Sequence, residues 1–213
     1  MRTLVLTCSS LDQGARRDAF ESNRFPNVEF VEGPSAATFE DIHKLADNEF
    51  DYGFGAGVWD LPAMAVAYGH LNLWLRILEL DQTCLLLEDD ARPVSPAKCD
   101  YETFFGNDQL QYLLDFGIVS LWKKGIYKAQ NFNNQLARIL PSFENSGLVG
   151  YLVSPKVANV LVESFPQMKN PVDHHVLNAW FDDSRPLKNM VTVENLIGHD
   201  NRTSLREAQL ISN

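Results

Sequence analysis

The chain has 213 residues, 45% of them hydrophobic, which suits one globular domain with a sizeable core. Its 18 Lys and Arg against 28 Asp and Glu give a formal net charge of −10. This charge argues against a broad nucleic-acid-binding surface, because such surfaces depend on cationic contacts to phosphate. A nucleic-acid partner is therefore unfavoured, although a local basic pocket for a nucleotide stays compatible with the composition.

The cysteines and the apolar stretches indicate the cellular setting. Cys8, Cys84 and Cys99 show no CxxC spacing and fit reduced thiols better than a disulfide or zinc framework. No apolar stretch approaches the roughly 18 residues that span a bilayer. The first eight residues are expected to form a strand rather than a signal peptide. We therefore expect a cytoplasmic protein without a transmembrane segment, for which peripheral contact with the inner membrane stays open.

The first third of the chain predicts the start of a parallel sheet. Leu4–Leu6 is a short apolar strand, a polar loop follows over 9–14, and a helix begins near Ala15. A second strand follows at Val28–Val31. This strand-loop-helix-strand order is typical of a βαβ unit.

A glycine-rich loop and a long helix come next. Residues 53–59 lack the spacing of a phosphate-binding glycine motif and are interpreted as a loop. Pro62 is expected to open a helix that runs to about Leu80. The three-and-four spacing predicts one buried face, formed by Ala67, Leu71, Trp74, Leu75 and Leu78, with Leu73 and Ile77 on a second face.

The most informative segment is 84–90, where an apolar strand runs straight into Glu88, Asp89 and Asp90. In open α/β sheets, ligands bind outside the carboxyl ends of the strands. Clustered carboxylates at such a place attract a hard divalent cation such as Mg²⁺ or Mn²⁺, which prefers oxygen ligands. The alternative is a solvated acidic loop after a strand.

The second half of the chain predicts further strands and helices. Strands are expected at 117–122 and 148–153, separated by a polar loop over 123–145. Ser154 and Pro155 are a strong helix start, with serine as N-cap and proline at the first helical position. A last helix is expected from 171–173 to about Phe181, followed by a less regular tail after about residue 184.

Four segments, taken in order, resemble glycosyltransferase family 25, the lipooligosaccharide galactosyltransferase type. They are Leu6 and Thr7 with Arg16 and Arg17, the segment Gly69–Trp74, the segment Leu85–Asp90, and Gly150–Ala158 followed by Pro171–Asp173. The resemblance covers residues 3–200. The serine that usually precedes the motif histidine is Gly69 here, and residues 100–145 match nothing specific.

The resemblance implies one domain over residues 1–213 with a GT-A fold, an α/β, Rossmann-like, mostly parallel sheet flanked by helices. It implies an inverting, metal-dependent transfer of a sugar from a nucleotide donor, with UDP-galactose as the expected donor. The expected acceptor is a saccharide such as lipopolysaccharide or lipooligosaccharide. A modified base of phage DNA and a protein hydroxyl are alternative acceptors.

The same resemblance assigns candidate site residues. Asp90 and Glu88 are expected to hold Mn²⁺ or Mg²⁺, and His199 could add a ligand from the tail. A further set is assigned to donor binding: Thr7, Arg16, Arg17, His70, Glu88 and Asp89. Guanidinium groups suit phosphate oxygens, but a solvated helix turn would also explain the two arginines, and His70 and His199 could be ordinary core or surface histidines.

The attacking hydroxyl needs a base, and Asp173 is the candidate catalytic residue because it matches the family aspartate. An aspartate at a helix start is otherwise explained as an N-cap. Other candidates for the base are His174, Glu144, Asp182 and Asp183.

Two functions of other classes stay open from the sequence. A metal-dependent nucleotidyltransferase would use a similar acidic site, but it usually has a glycine- and lysine-rich loop after strand one, whereas loop 9–14 has one glycine and no lysine. A non-catalytic nucleotide-sugar-binding protein would not need the intact acidic triplet at 88–90.

Overall fold

The structure is a computed structural model that describes residues 1–8, 15–20, 24–35, 61–94, 107–124, 126–142, 144–168, 171–178 and 187–199. Several sequence predictions lie outside the described residues. They concern Cys99, the glycine-rich segment 53–59, the end of the last predicted helix, and Asp182 and Asp183.

The described residues form ten strands and five α-helices. The strands are β1 (Arg2–Thr7), β2 (Val28–Glu32), β3 (Cys84–Glu88), β4 (Ala91–Pro93), β5 (Val119–Ser120), β6 (Ala129–Asn131), β7 (Leu136–Ile139), β8 (Gly150–Val153), β9 (Met190–Thr192) and β10 (Ile197–His199). The helices are α1 (Ala15–Asp18), α2 (Leu61–Leu80), α3 (Asn107–Leu114), α4 (Pro155–Ser164) and α5 (Val172–Asn178), with a 3₁₀ turn at Phe165–Gln167. None of these helices has both the length and the apolar character needed to cross a membrane.

Eight strands form one sheet in the order β2-β1-β3-β8-β5-β9-β7-β6, and β10 and β4 form a separate two-stranded ribbon. The predicted α/β class is confirmed. The sheet is mixed, because β1 pairs in parallel with β2 and β3 whereas β8 runs antiparallel to β3 and β5. Side chains alternate between its faces: Leu4 and Leu6 belong to one buried cluster, and Val5 belongs to the other.

The order of the first three strands places a topological switch point, called the crevice below, between β1 and β3. From β1 the chain crosses to β2 on one side, and β3 then lies on the other side of β1. Such a reversal of strand order opens a space outside the carboxyl ends of the two strands that flank it, and ligands of α/β proteins bind there. In this sheet those strands are β1, which ends at Thr7, and β3, which ends at Glu88.

Helix α2 covers β1 and β2, and its buried face differs by one position from the predicted one. Leu73 and Ile77 are fully buried beside Trp74, whereas Leu75 is 41% exposed. The buried stripe therefore follows the spacing 67, 70, 74 and 77, and it includes His70. The prediction that Leu75 faces the core is wrong. Leucines lie on both sides of the buried face, so the sequence pattern fitted two possible buried faces equally well.

Gly69 allows this close packing of α2 on β1. A Cβ at this position would lie 2.7 Å from Cδ1 and 2.9 Å from Cδ2 of Leu6. A side chain at position 69 would therefore displace either the Leu6 side chain or the helix. Gly69 thus lies in close contact with β1 and directly precedes His70 in the helix.

The region after residue 100 contains more regular structure than its sequence predicts. Residues 123–145 hold the hairpin of β6 and β7, and the tail supplies β9 and β10. Helix α3 was not predicted. By contrast, Ser154 caps α4 as expected, because its Oγ accepts a hydrogen bond from the backbone N–H of Val157 at 3.3 Å.

Helix α5 carries a buried histidine, from which we expect the stability of the fold to decrease at acidic pH. His175 is 4% exposed, and burial lowers its pKa to about 4. Because the unfolded chain binds this proton near pH 6.5 and the folded chain does not, the free energy of unfolding should fall as the pH drops from about 6.5 to about 4. Below that window both states are protonated, and the contribution is constant.

Chemical denaturation across this pH range measures the effect. His175 should contribute a slope of up to about 1.4 kcal/mol per pH unit, and His175→Gln, which cannot titrate, should lose that component. His174→Gln alters the half-buried neighbour and is the control. Equal slopes in the wild type and His175→Gln would show that another group controls the acid sensitivity.

Candidate active site

The three acids of 88–90 lie at the crevice, but they are not a solvated loop. Asp89 is fully buried, Asp90 is 4% exposed, and the side chain of Glu88 is 18% exposed. Asp89 and Asp90 form the turn between β3 and β4. Burial of two carboxylates requires compensating partners, so the surroundings of each acid decide what it can do.

Arg16 provides the charge that compensates Asp89. Its Nε donates to Asp89 Oδ1 at 2.8 Å, and its Nη2 donates to the same oxygen. Thr7 Oγ1 donates to the other carboxylate oxygen, Oδ2, at 3.4 Å. The residue between the two predicted metal ligands is therefore held by protein contacts, which tie α1 and the end of β1 to the end of β3.

The two arginines of α1 have different positions. Arg16 is 7% exposed, and its Nη2 lies 3.8 Å from Asp90 Oδ2 as well as against Asp89. Arg17 is exposed, and its guanidinium lies 4.7 Å from the centre of the Phe30 ring on β2. Of the two predicted phosphate ligands, the structure brings only Arg16 to the acids, and that arginine is already engaged with them.

His70 reaches the same edge from α2. It is 1% exposed, and its Nδ1 lies 2.7 Å from the Tyr151 hydroxyl. That hydroxyl also accepts a hydrogen bond from Trp74 Nε1 at 3.1 Å. Burial raises the pKa of Tyr151 well above its ordinary value, and the bond from Trp74 offsets only part of this rise. The hydroxyl therefore keeps its proton.

These contacts fix which nitrogen of His70 carries a proton. The indole of Trp74 can only donate, so the proton of the buried Tyr151 hydroxyl needs another acceptor, and His70 Nδ1 is in reach. A neutral His70 is then protonated at Nε2. This atom lies 3.8 Å from Glu88 Oε1 and makes no hydrogen bond within the described part of the chain. His70 thus offers a buried N–H donor next to Glu88.

The ribbon of β4 and β10 brings His199 close to the acids. His199 pairs with Ala91, the residue after Asp90, in the antiparallel register. Its ring lies edge-on to Trp122, with centroids 5.5 Å apart. The tail therefore returns to the end of β3, and the role of His199 as a further metal ligand stays a prediction.

Asp173 anchors the loop that enters β8. Its Oδ2 accepts the backbone N–H of Gly147 at 2.9 Å, and its Oδ1 accepts that of His174 at 2.9 Å. Asp173 is the second residue of α5, so Pro171, not Asp173, precedes the helix. The aspartate is not an N-cap, and its role as a base stays a prediction.

The anchored loop leads directly to the crevice. Gly147 has φ +83°, and a Cβ on it would overlap the ring of Trp122. Three residues further, Gly150 pairs with Leu87, and the Val149 carbonyl accepts the backbone N–H of Glu88 at 3.1 Å. Asp173 therefore holds a loop that borders the acids. Glu144, in the same loop, is exposed.

The acids could hold a metal ion only if a bound substrate supplied further ligands to the metal. No group of three or more His, Cys, Asp or Glu side chains is arranged around a metal position within the described ranges. Mg²⁺, however, is commonly bound by one or two carboxylates plus substrate phosphates and water. Glu88 and Asp90 supply oxygen donors of that kind, so the residues fit a metal that binds with a diphosphate.

The sequence did not identify Trp74 and Tyr151 as parts of the site. His70 and Trp74 are four residues apart and therefore lie on one face of the helix. This spacing could have indicated that Trp74 lies next to His70. Tyr151 is 81 residues from His70, and no local pattern connects two residues so far apart.

Comparisons with known proteins leave the family of the chain open. No family model matches the sequence, and no curated protein is significantly similar to it. Apo UDP-glucose pyrophosphorylase has a TM-score of 0.45 and 10% identity, with 100% of this chain and 97% of that chain covered. A197 from STIV has a TM-score of 0.38 and 11% identity, with 96% of each chain covered. These similarities are too low to assign a function.

The hydrogen bonds of Tyr151 predict a specific effect of Tyr151→Phe. The change leaves the indole N–H of Trp74 and the Nδ1 of His70 without their buried partner, so it should lower the free energy of unfolding by about 1–3 kcal/mol. His70 should then populate both neutral tautomers, whereas the wild type holds the Nε2–H form. Long-range ¹⁵N NMR of the imidazole distinguishes the two forms.

Tyr68→Phe is a matched control, because Tyr68 lies on α2 and packs on Phe165. It should leave the tautomer of His70 unchanged. An Nδ1–H form in the wild type would contradict the assigned direction of the hydrogen bond.

Proposed function

We propose that this protein is an inverting, metal-dependent glycosyltransferase that uses a nucleotide-sugar donor. The observation that carries the proposal is the set of side chains at the ends of β1 and β3. The middle acid, Asp89, is neutralised by Arg16, while Glu88 and Asp90 flank it with acid-x-acid spacing. An acid-x-acid pair next to a fixed N–H donor suits a ligand that carries both a diphosphate and sugar hydroxyls.

Each group has a chemical role in this proposal. Glu88 accepts hydrogen bonds from ribose or sugar hydroxyls, and the Nε2–H of His70 donates to the same ligand. Arg16 and Thr7 hold the turn at Asp89 and thereby orient its two neighbours. When bound, Mn²⁺ or Mg²⁺, held by Glu88, Asp90 and His199, would offset the charge that develops on the leaving diphosphate.

The reaction is a single displacement. An acceptor hydroxyl attacks the anomeric carbon, the bond to the diphosphate oxygen breaks, and the nucleoside diphosphate leaves. Asp173 takes the proton of the attacking hydroxyl. The two backbone N–H bonds that this carboxylate accepts fix its position at the loop that leads to the crevice.

The proposal extends to the substrates that the family resemblance implies. UDP-galactose is the donor and a saccharide such as lipooligosaccharide is the acceptor. Modified DNA bases and protein hydroxyls are alternative acceptors, and the net charge of −10 makes DNA the less favourable one. A panel of UDP-, GDP- and CMP-sugars with and without Mn²⁺ identifies the donor, because a ligand at 100 times its Kd should stabilise the fold by about 2.7 kcal/mol.

Asp90→Asn should remove the metal-dependent part of donor binding. The side chain keeps its size but loses the negative charge that strengthens binding of a divalent cation. We expect sugar transfer to be lost, and the roughly 2.7 kcal/mol of stabilisation by saturating UDP-sugar and Mn²⁺ to disappear. Calorimetry with and without Mn²⁺ measures the metal-dependent affinity for the UDP-sugar directly.

Asp81→Asn is the control, because Asp81 is exposed at the end of α2. It should bind donor as the wild type does. Unchanged metal-dependent affinity in Asp90→Asn would exclude Asp90 as a ligand. Since Asp90 is buried beside Arg16, the stability of both variants must be measured in parallel.

Asp173→Asn should separate catalysis from donor binding. Loss of a general base typically slows a reaction ~10²–10⁴-fold, so transfer per folded molecule should fall at least about a hundredfold while donor affinity is unchanged. The amide can accept only one of the two backbone N–H bonds, so the variant should also be destabilised by about 1–3 kcal/mol.

Two further variants test this assignment. Asp173→Glu keeps a titratable carboxylate and should recover part of the rate, and Glu144→Gln removes an exposed acid of the same loop and should have little effect. A rate that falls only in proportion to the unfolded fraction would show that Asp173 is a structural anchor.

A further inference from the structure

A cleft of about 410 Å³ lies between α3, the β6–β7 hairpin and the start of β9. Its size falls within the usual range for small-ligand sites, roughly 300–1,000 Å³. The register places it away from the acids: Met190 and Lys188 are at the amino end of β9, whereas the crevice lies at the carboxyl ends of β1 and β3. None of the residues discussed above for donor binding lines this cleft.

Three aromatic rings border the cleft and are exposed to solvent. Tyr112, Phe116 and Phe132 are 64%, 42% and 62% exposed. Tyr112 and Phe116 lie edge to face with centroids 5.3 Å apart, which presents ring surface in two directions. Large apolar side chains gathered at one exposed place usually mark a binding surface.

Two cations share the same cleft. Arg138 on β7 and Lys188 before β9 line it, and both are exposed. Within the described part of the chain no carboxylate forms an ion pair with either of them. Lys188 Nζ lies 5.5 Å from the centre of the Phe116 ring, and Lys156 Nζ lies at the same distance from it. In a chain of net charge −10, such a local positive charge is unusual.

Side-chain amides complete the lining. Gln130 and Asn131 belong to β6, the last strand in the sheet order, and both are exposed. Amides donate and accept hydrogen bonds, as hydroxyl-rich ligands require. Aromatic faces pack against the C–H faces of pyranose rings, and guanidinium and ammonium groups pair with phosphate or carboxylate.

We propose that this cleft is a second binding site, which takes an anionic saccharide: a short chain of sugar rings that carries carboxylate or phosphate groups. Rings would lie on Phe132 and Tyr112, and the acidic groups would meet Arg138 and Lys188. The proposal does not depend on the function proposed for the crevice, because the two sites share no residue.

Charge favours a saccharide over a nucleic acid. Affinity for a nucleic acid rests on many phosphate contacts and their counterion release, and this cleft offers two lining cations in a chain with ten excess negative charges. A short acidic saccharide needs only one or two ion pairs. The remaining affinity comes from ring packing and hydrogen bonds, which the aromatic and amide side chains can supply.

NMR titration of the full chain with trigalacturonic acid and with glucose 1-phosphate tests the proposal. Backbone amide shifts should change at Asn131, Phe132 and Lys188 and not at Thr7. Maltotriose, inorganic phosphate and UMP are the comparison ligands. Each should bind more weakly at this cleft than trigalacturonic acid, because maltotriose lacks acidic groups, inorganic phosphate lacks sugar rings, and UMP lacks a chain of pyranose rings.

Two pairs of variants isolate the groups responsible. Arg138→Gln/Lys188→Gln should weaken trigalacturonic acid binding by at least about tenfold, since charge-assisted hydrogen bonds are lost. Lys124→Gln/Lys128→Gln removes the same charge from exposed lysines that do not line the cleft and should have little effect. Phe132→Ala should also weaken binding, whereas Tyr127→Ala, at a ring 70% exposed elsewhere, should not.

Several results would overturn the proposal. Absence of shifts at the cleft with both acidic sugars would exclude an anionic-saccharide site. Equal binding of inorganic phosphate with no effect of Phe132→Ala would show a simple anion site. Tighter binding of UMP than of either sugar would make it a nucleotide site. Loss of sugar transfer in the crevice variants leaves this test unaffected.

Discussion

The buried ion pair of Arg16 and Asp89 is the interaction on which the candidate site depends. It connects the first helix to the end of β3 across 73 residues of sequence, and both side chains are nearly inaccessible to solvent. Removing one partner of such a pair typically costs about 3–5 kcal/mol, because the other charge stays buried and uncompensated. The pair therefore constrains the conformation of the turn that carries Asp90, and with it the position of any ligand.

A second constraint acts on the other side of the acids. Trp74, Tyr151 and His70 form a chain of buried hydrogen bonds in which the donor-only indole sets the direction of the others. Buried networks of this kind are costly when incomplete and specific when complete. Here the result is an imidazole N–H next to Glu88. Gly69, the residue before His70, packs closely against Leu6 of β1.

The sequence predicted the elements whose signals are local. The apolar runs of β1 and β3, the length of α2 and the cap at Ser154 depend on residues within one or two turns of one another. Thr7 and the acids of 88–90 were assigned to one donor site only through the family resemblance, and Thr7 does contact Asp89. The sequence did not predict β6, whose three residues are all exposed, or the ribbon of β4 and β10, whose partners are far apart in the chain. The partners of Asp89 and His70 were missed for the same reason.

The distribution of cations indicates that a diphosphate ligand would need an additional positive charge at the crevice. Arg16 is engaged with Asp89 and Asp90, and Arg2 and Arg76 both pair with Glu29 on β2. Arg17 is exposed and lies over Phe30 of β2, and Arg138 and Lys188, two further exposed cations, lie in the distant part of the sheet. The guanidinium nearest the acids thus serves to fold the site, and a donor diphosphate would add charge to an already acidic chain. In the proposed reaction, a divalent cation that arrives with the donor would resolve this conflict, since such a cation can bind both carboxylates and phosphates.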